Sequence, residues 1–340
     1  MKILQVIDRL EAGGAERIFV SMTHLLAEKD IPTGVLLFND GGALDKELDP
    51  RVDVHLLNRN NKFNLFTLYK AHRVCKQYHI VHAHLRHVHA YIRLVQLLFG
   101  GKYKLVLHDH AAITNDVPVR MRGLFKPRYY IGVNDEQTNW AINTIGINPV
   151  NVFLLENTVL ANHEPAQVKQ GGNKAIMIAN IRQVKNIEFA ISLCGSLGWQ
   201  LDIYGNIIEQ AYYDKLKKLA GNDNGMNIIT GVKDFSGLYR QYNLAIHCSP
   251  KETGPLVLIE YLAAGLPFIA YQTGSAADAI AAELPRLFMQ HFERDQWERR
   301  ISAIIQDKEL PLQMQELYKK KFNPEDYINK CLQIYQSVRS

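Results

Sequence analysis

Short apolar runs alternate with longer stretches whose apolar residues recur every three or four positions, along nearly all of the 340-residue chain. The first pattern suits buried strands and the second amphipathic helices. Their alternation predicts an α/β architecture built on parallel sheets. In the first half the runs predict strands at Lys2–Ile7, Thr33–Phe38, Val52–Leu57, Ile80–Ala83, Lys104–Leu107 and Tyr129–Val133. Helical periodicity falls between them, as at Ala15–Glu28 and Leu65–Tyr78. A second series follows at Ala175–Ala179, Gln200–Tyr204, Met226–Ile229, Leu244–His247 and Pro267–Ala270, and the chain closes on a predicted helix, Pro324–Val338, capped by Asn323.

Between the two series lies Ala161–Asn173, polar and rich in Gly, Pro and Gln, which reads as an interdomain linker. The length fits two domains of ordinary size better than one. Ligands of open α/β sheets bind outside the carboxyl ends of the strands. Two such domains facing each other would enclose a cleft, on which strand-end motifs from both halves should converge.

Composition narrows the function class. Hydrophobic residues make up 47% and charged residues 21%, as in globular proteins. The net charge is +5, but Lys62 to Arg128 holds twelve Lys/Arg against Asp109 and Asp116. Such a block suits an anionic membrane or a phosphorylated acceptor, and equally a solvated basic surface. No nucleic-acid-binding signature accompanies it, so nucleic acid is not expected as a partner. Cys75, Cys194, Cys248 and Cys331 are scattered without metal or disulfide spacing, which favours reduced thiols and a cytoplasmic location. Met1 leads straight into a predicted strand without the apolar region of a signal peptide, and no apolar run approaches the ~20 residues that span a bilayer. Any membrane role is therefore expected to be peripheral, at the inner face of the plasma membrane.

Candidate chemistry gathers at predicted strand ends. Glu252-Thr-Gly-Pro-Leu-Val-Leu-Ile-Glu260 follows a strand ending in His247 and runs into a helix that stops at Gly265-Leu-Pro267. Helix starts offer free N–H groups to a diphosphate or carboxylate. By spacing alone, the two glutamates are equally surface residues. Asn180-Ile-Arg182-Gln-Val-Lys185-Asn186 follows the first strand of the second series, where its cations can face a diphosphate. Gly13-Gly14 follows the first strand; glycines let a ligand approach the backbone closely, but the spacing is not the dinucleotide fingerprint. His82, His84, His87, His89, His108 and His110 are dense. His82 and His84 share a strand face while His87 and His89 fall in the next helix, so no metal site is expected.

Together these segments resemble the retaining glycosyltransferases of family 4, which have the GT-B fold: two facing Rossmann-like α/β domains with a cleft between them. The match rests on Glu252…Glu260-Tyr-Leu-Ala-Ala-Gly265-Leu-Pro267, Gly274-Ser275, the phosphate-loop-like Arg182–Lys185 segment, Gly13-Gly14-Ala15-Glu16-Arg17 and Val81-His82-Ala83-His84. The resemblance implies an acceptor-binding domain at 1–165, a nucleotide-sugar domain at 166–323, and a closing helix, 324–340, that packs back on the first. It implies hexosyl transfer with retention from a UDP- or GDP-sugar to a glycan or lipid-linked acceptor, in polysaccharide or glycolipid synthesis, without a further cofactor. Glu252 would position the donor sugar, with His110 beside it, and Glu260 would hold the ribose. Gly14, Arg182, Lys185, Gly205, Gly254 and Leu256 complete the implied donor set, with Gly13 and His84 on the acceptor side. Two departures stand out. The usual Gly-Arg of the phosphate loop is Ala179-Asn180, so Arg182 would take over for the missing arginine. Pro255 removes a backbone N–H, shifting that donor to Leu256.

Amphipathic basic segments at 62–78 and 119–128 could lie on an anionic membrane. Leu65, Leu68 and His72 are spaced for one helical face, which could instead face a core. Two rival functions share the resemblance: a sugar-nucleotide 2-epimerase, and a non-catalytic carbohydrate-binding relative.

Overall fold

The structure, a computed structural model, describes residues 1–340 except 12, 60, 62–63, 161–171, 221–224, 233–234 and 236. Most of the proposed linker, the 165/166 boundary and the first two residues of the 62–78 segment thus lie outside the described residues. Two compact units divide the chain: Met1–Val159 with Pro324–Ser340, and Leu160–Asn323.

In the first unit the strands are β1 (Ile3–Ile7), β2 (Thr33–Leu37), β3 (Asp53–Leu56), β4 (Ile80–His84), β5 (Lys104–Asp109), β6 (Tyr129–Gly132) and β7 (Val152–Leu154). They form one sheet in the order β3-β2-β1-β4-β5-β6-β7, and every pair is parallel. Parallel neighbours require long crossovers, supplied here chiefly by α1 (Gly14–Glu28), α2 (Leu65–Cys75), α3 (Arg86–Phe99) and α4 (Asp135–Asn143). Helices on both faces bury the central strands fully, which is why β1 carries a near-continuous apolar run and why β4, fully buried, holds its two histidines inside. Leu4, Val6, Val81 and Ala83 pack with α2 and α3. Ile7 packs with Phe19 and Val20 of α1, and Gln5, His82 and His84 also point to that face.

The second unit repeats the plan. Its strands are β8 (Lys174–Ile178), β9 (Gln200–Tyr204), β10 (Met226–Ile229), β11 (Leu244–His247), β12 (Phe268–Tyr271) and β13 (Phe288–Met289), ordered β10-β9-β8-β11-β12-β13 and again all parallel. Its helices are α5 (Ile187–Leu197), α6 (Gln210–Ala220), α7 (Leu256–Ala264), α8 (Ser275–Ala281), α9 (Arg294–Gln306) and α10 (Leu310–Lys321). The final helix, α11 (Pro324–Arg339), returns to the first unit. Both sheets show the Rossmann-like reversal of strand order, at β1/β4 and at β8/β11, the place where such sheets bind ligands.

Three local expectations need correction. β7 and β13 were not expected; three and two residues long at sheet edges, they carry too few apolar positions to stand out. α2 ends at Cys75, with Lys76 as its cap, rather than at Tyr78. Leu65 and Leu68 do not share an environment: Leu68 is 2% exposed and Leu65 69%. Among the described residues no helix is long and apolar enough to cross a membrane. All four cysteines are buried free thiols.

Candidate active site

In the second unit, the loops after β8 and β11 flank the reversal of strand order, and a side-chain pair joins them. The Lys185 ammonium donates to Glu252 Oε1. Lys185 ends a short 3-10 turn, Gln183–Lys185, and Asn186, at φ 49°, separates that turn from α5. Arg182 and Lys185 therefore precede α5. Arg182 is exposed, and among the described residues no carboxylate pairs with it.

Glu252 is held from both directions. Its N–H donates to Thr273 Oγ1 at 3.1 Å, and Ser275 N–H donates to the neighbouring Thr253 carbonyl at 3.1 Å. Gly274, at φ +81°, permits this approach, because a Cβ there would lie 3.0 Å from the Glu252 carbonyl oxygen. His247 ends β11 with Nε2 3.8 Å from Glu252 Oε1, and burial lowers its pKa to about 4. A neutral imidazole thus stands behind the carboxylate. Sequence reasoning passed over His247, whose only signal was its place at a strand end.

α7 starts at Leu256, with Pro255 as its N-cap. Its first-turn N–H groups, those of Leu256 and Val257, have no intrahelical acceptor. Gly254 lies just before them. Glu260, one turn further on, is 8% exposed and accepts from Tyr239 O–H at 2.7 Å. No sequence motif marked Tyr239. Gly205 follows β9, and a Cβ there would fall 2.0 Å from the Ala179 carbonyl oxygen. That close approach requires glycine whether or not a ligand is bound.

In the first unit, Gly13 caps α1 and Gly14 is its first residue, so the glycine pair sits at a helix start beside the β1/β4 reversal. His84 ends β4, and His110 follows β5. A directional chain connects them. Gln5 Nε2 donates to the Tyr335 hydroxyl at 2.9 Å, and Gln5 Oε1 accepts from His84 Nε2–H at 2.8 Å. His84 Nδ1 is then an acceptor, so the 3.1 Å contact is donated by His110 Nε2–H. With the Gln5 amide in this orientation, His110 keeps its lone pair on Nδ1. The Tyr335 hydroxyl, on α11, reaches His82 Nδ1 at 2.5 Å. Burial holds His82 and His110 near pKa 3 and His84 and His108 well below the ordinary value, so the cluster is neutral at neutral pH. Asp109 steadies the His110 segment, accepting from Ala111 N–H at 3.1 Å, Tyr130 O–H at 2.9 Å and Arg86 Nε at 2.7 Å.

Ligand atoms of His82, His84 and His108 lie within 4.8 Å of one another. His108 and His82 Nε2 have free valences there. Both nitrogens of His84, however, serve Gln5 and His110, so a metal ion would have to break that chain.

A cavity of about 490 Å³ lies near the same strand ends, lined by Asp8, Arg59, His87, Tyr91, Val119 and Arg120 among others. Asp8 accepts from His87 Nε2 at 3.0 Å and lies 3.4 Å from the Arg59 guanidinium, which together hold its carboxyl below the usual range. Arg59 also lies over the Phe38 ring at 4.5 Å. The sequence did not mark this group, because its members come from β1, β3 and α3 flanks without a contiguous motif.

Comparison with known proteins agrees with this architecture. Residues 160–321 match the family model "Glycosyl transferases group 1", and residues 12–151 match "Glycosyltransferase Family 4". The chain is 22% identical to an uncharacterized glycosyltransferase of Haemophilus influenzae over 96% of each chain. It is 23% identical to the amylovoran biosynthesis glycosyltransferase AmsD of Erwinia amylovora, over 81% of this chain and 82% of the relative. The crystal structure of Anabaena HepE, in complex with UDP and glucose, superposes with a TM-score of 0.82 at 17% identity, covering 99% of this chain and 100% of that one. With a glycosyltransferase model matching each half and a sheet pair of the same kind as in these structures, the chain is a glycosyltransferase of the GT-B fold.

Proposed function

We propose that the chain transfers a sugar, with retention of anomeric configuration, from a UDP- or GDP-sugar to a hydroxyl of a glycan or lipid-linked acceptor in bacterial surface polysaccharide or glycolipid synthesis. The observation that carries this reading is the Lys185–Glu252 pair, which joins the two loops flanking the strand-order reversal of the second unit. The HepE complex with UDP and glucose, and the amylovoran biosynthesis for which AmsD is named, support the donor and product classes.

In this mechanism the diphosphate lies against Arg182, Lys185 and the first N–H groups of α7, including that of Leu256, which offset the charge developing on the leaving group. Lys185 then turns from Glu252 toward phosphate, freeing the carboxylate to accept from donor-sugar hydroxyls. Gly254 lets the sugar approach the backbone, and Glu260, braced by Tyr239, accepts from the ribose. His110 contributes its Nδ1 lone pair to a sugar hydroxyl. The acceptor oxygen attacks from the face of the departing phosphate, which takes its proton; no carboxylate nucleophile is required. The Asp8–Arg59–His87 cavity receives the acceptor, and Gly13 and His84 belong to the acceptor side.

Leu65, Phe66 and Tyr69 on α2, with Val119 and Leu124 beside Arg120 and Arg122, are exposed apolar groups among cations. They support peripheral docking at the inner leaflet. The function is tested by a thermal-shift panel of sugar nucleotides, since ligand binding raises apparent stability, followed by NMR of the product's anomeric configuration. An inverted product, or undiminished transfer by Glu252→Ala, would sink the mechanism.

A further inference from the structure

A second cavity, of about 390 Å³, opens at the opposite end of the first unit's sheet. Lys104 begins β5 and Tyr129 begins β6, so the cavity lies at the amino ends of these strands, whereas the residues discussed above lie at the carboxyl ends. Four cations line it: Arg93, Lys104, Lys126 and Arg128. Among the described residues no Asp or Glu lines it and no carboxylate pairs with any of the four.

The four charges share one cavity. Lys104 Nζ and the Arg128 guanidinium both approach the Tyr129 ring, at 6.0 and 5.3 Å from its centroid. Arg93 Nε donates to the Leu124 carbonyl at 2.9 Å, and Lys126 donates to the Gly146 carbonyl, so neutral acceptors fix two of the cations in place. Like charges gathered without a counter-ion repel one another, and an anion between them removes that cost.

Two further lining groups point the same way. His89 is 1% exposed with Nδ1 unpartnered, and Tyr103 is 4% exposed with its hydroxyl unpartnered. A buried polar group left without a partner is costly, and a bound ligand would recover that cost. Both groups are neutral at neutral pH, since burial lowers the imidazole's pKa to about 3 and raises the phenol's, so the phenol keeps its O–H and the imidazole can carry its one proton on Nδ1. Gly101 makes room for Tyr103, because a Cβ there would lie 2.5 Å from its ring.

We propose that this cavity is a phosphate-binding site for a diphosphate or closely spaced phosphate esters, separate from the donor residues. Cations from α3, from the start of β5 and from the segment before β6 surround the phosphate oxygens, while His89 and Tyr103 donate from the floor. The same chemistry is presented by an anionic lipid headgroup and by a soluble phosphate ester.

The test is titration of the full chain with inorganic pyrophosphate, comparing wild type, Lys104→Gln/Arg128→Gln and Lys185→Gln. Removing two charge-assisted contacts should weaken pyrophosphate binding by about tenfold or more. Lys185→Gln should retain that binding while weakening UDP, so the outcome is separable from the donor-site assignment. Lys104→Arg/Arg128→Lys, which keeps the charges, should also retain it, and circular dichroism checks that the neutral variant is folded. Sedimentation with phosphatidylglycerol or phosphatidylcholine vesicles, at about 0.15 M salt where screening acts beyond ~8 Å, distinguishes the sources. Selective loss of phosphatidylglycerol binding in the neutral variant identifies a headgroup ligand; loss of pyrophosphate binding alone identifies a soluble one. Pyrophosphate and vesicle binding both unchanged in the neutral variant, or both absent in wild type, would overturn the proposal.

Discussion

The buried residues of both units make specific demands on protonation. Free histidine titrates near 6.5, whereas burial holds His82 and His110 near 3 and His247 near 4. Between those values the unfolded chain binds more protons than the folded one. Stability from these groups is therefore present above about pH 6.5 and is lost as pH falls, down to about 4 for His247 and about 3 for His82 and His110, by ~1.4 kcal/mol per pH unit for each group titrating. Urea unfolding midpoints should drop steeply from pH 7 to pH 5, and a flat profile would contradict buried neutral histidines. At Glu260, Tyr239→Phe removes the 2.7 Å hydrogen bond and should weaken nucleotide binding by about fivefold, equivalent to ~1 kcal/mol. Equal affinity in calorimetry would show that the hydroxyl does not brace the carboxylate. Glu252 and Glu260 were legible in the sequence through the strand before them and the Gly265 stop after them. Their partners were not. His247 and Tyr239 act by burial and long-range contact, which spacing does not encode.

Elements were legible where apolar runs were long and buried on both faces. The central strands carry such runs, while edge strands β7 and β13 do not. For α2, periodicity alone could not tell which apolar residues face inward: Thr67, Leu68, Ala71, Val74 and Cys75 are buried, while Leu65, Phe66 and Tyr69 face outward. The stop after α7 is more sharply defined. Gly265 has φ +66°, and a Cβ there would lie 3.0 Å from both Gln315 Nε2 and the Pro311 carbonyl oxygen of α10. Gly265→Ala combines left-handed strain of about 1–2 kcal/mol with that contact. Thermal unfolding should fall by roughly 2–4 °C for each kcal/mol lost in a unit of this size; an unchanged midpoint would mean that α7 and α10 yield freely.

At the scale of the whole molecule, the chain leaves the first unit, builds the second and returns as α11. Tyr327, Ile328, Cys331, Ile334, Tyr335 and Val338 are buried on that helix, and the Tyr335 hydroxyl meets Gln5 and His82 from the other end of the sequence. Deleting 324–340 would uncover this apolar face and leave Gln5 and His82 without the hydroxyl. Hydrogen exchange should then accelerate in β1 and β4 while β8 and β11 keep their protection, and protection unchanged in β1 and β4 would contradict the account. The repeated α/β plan and two-domain scale were readable from the alternation of runs. The contacts of α11 were not, since nothing local in 324–340 specifies a partner more than three hundred residues away. The donor assignment is tested most directly by calorimetric titration of a nucleotide and its sugar conjugate, UDP and UDP-glucose or the GDP pair, into wild type, Glu252→Ala and Glu260→Ala. Glu260→Ala should weaken both ligands, and Glu252→Ala should weaken the sugar conjugate while sparing the bare nucleotide; wild-type affinity for both ligands in both variants would contradict the account.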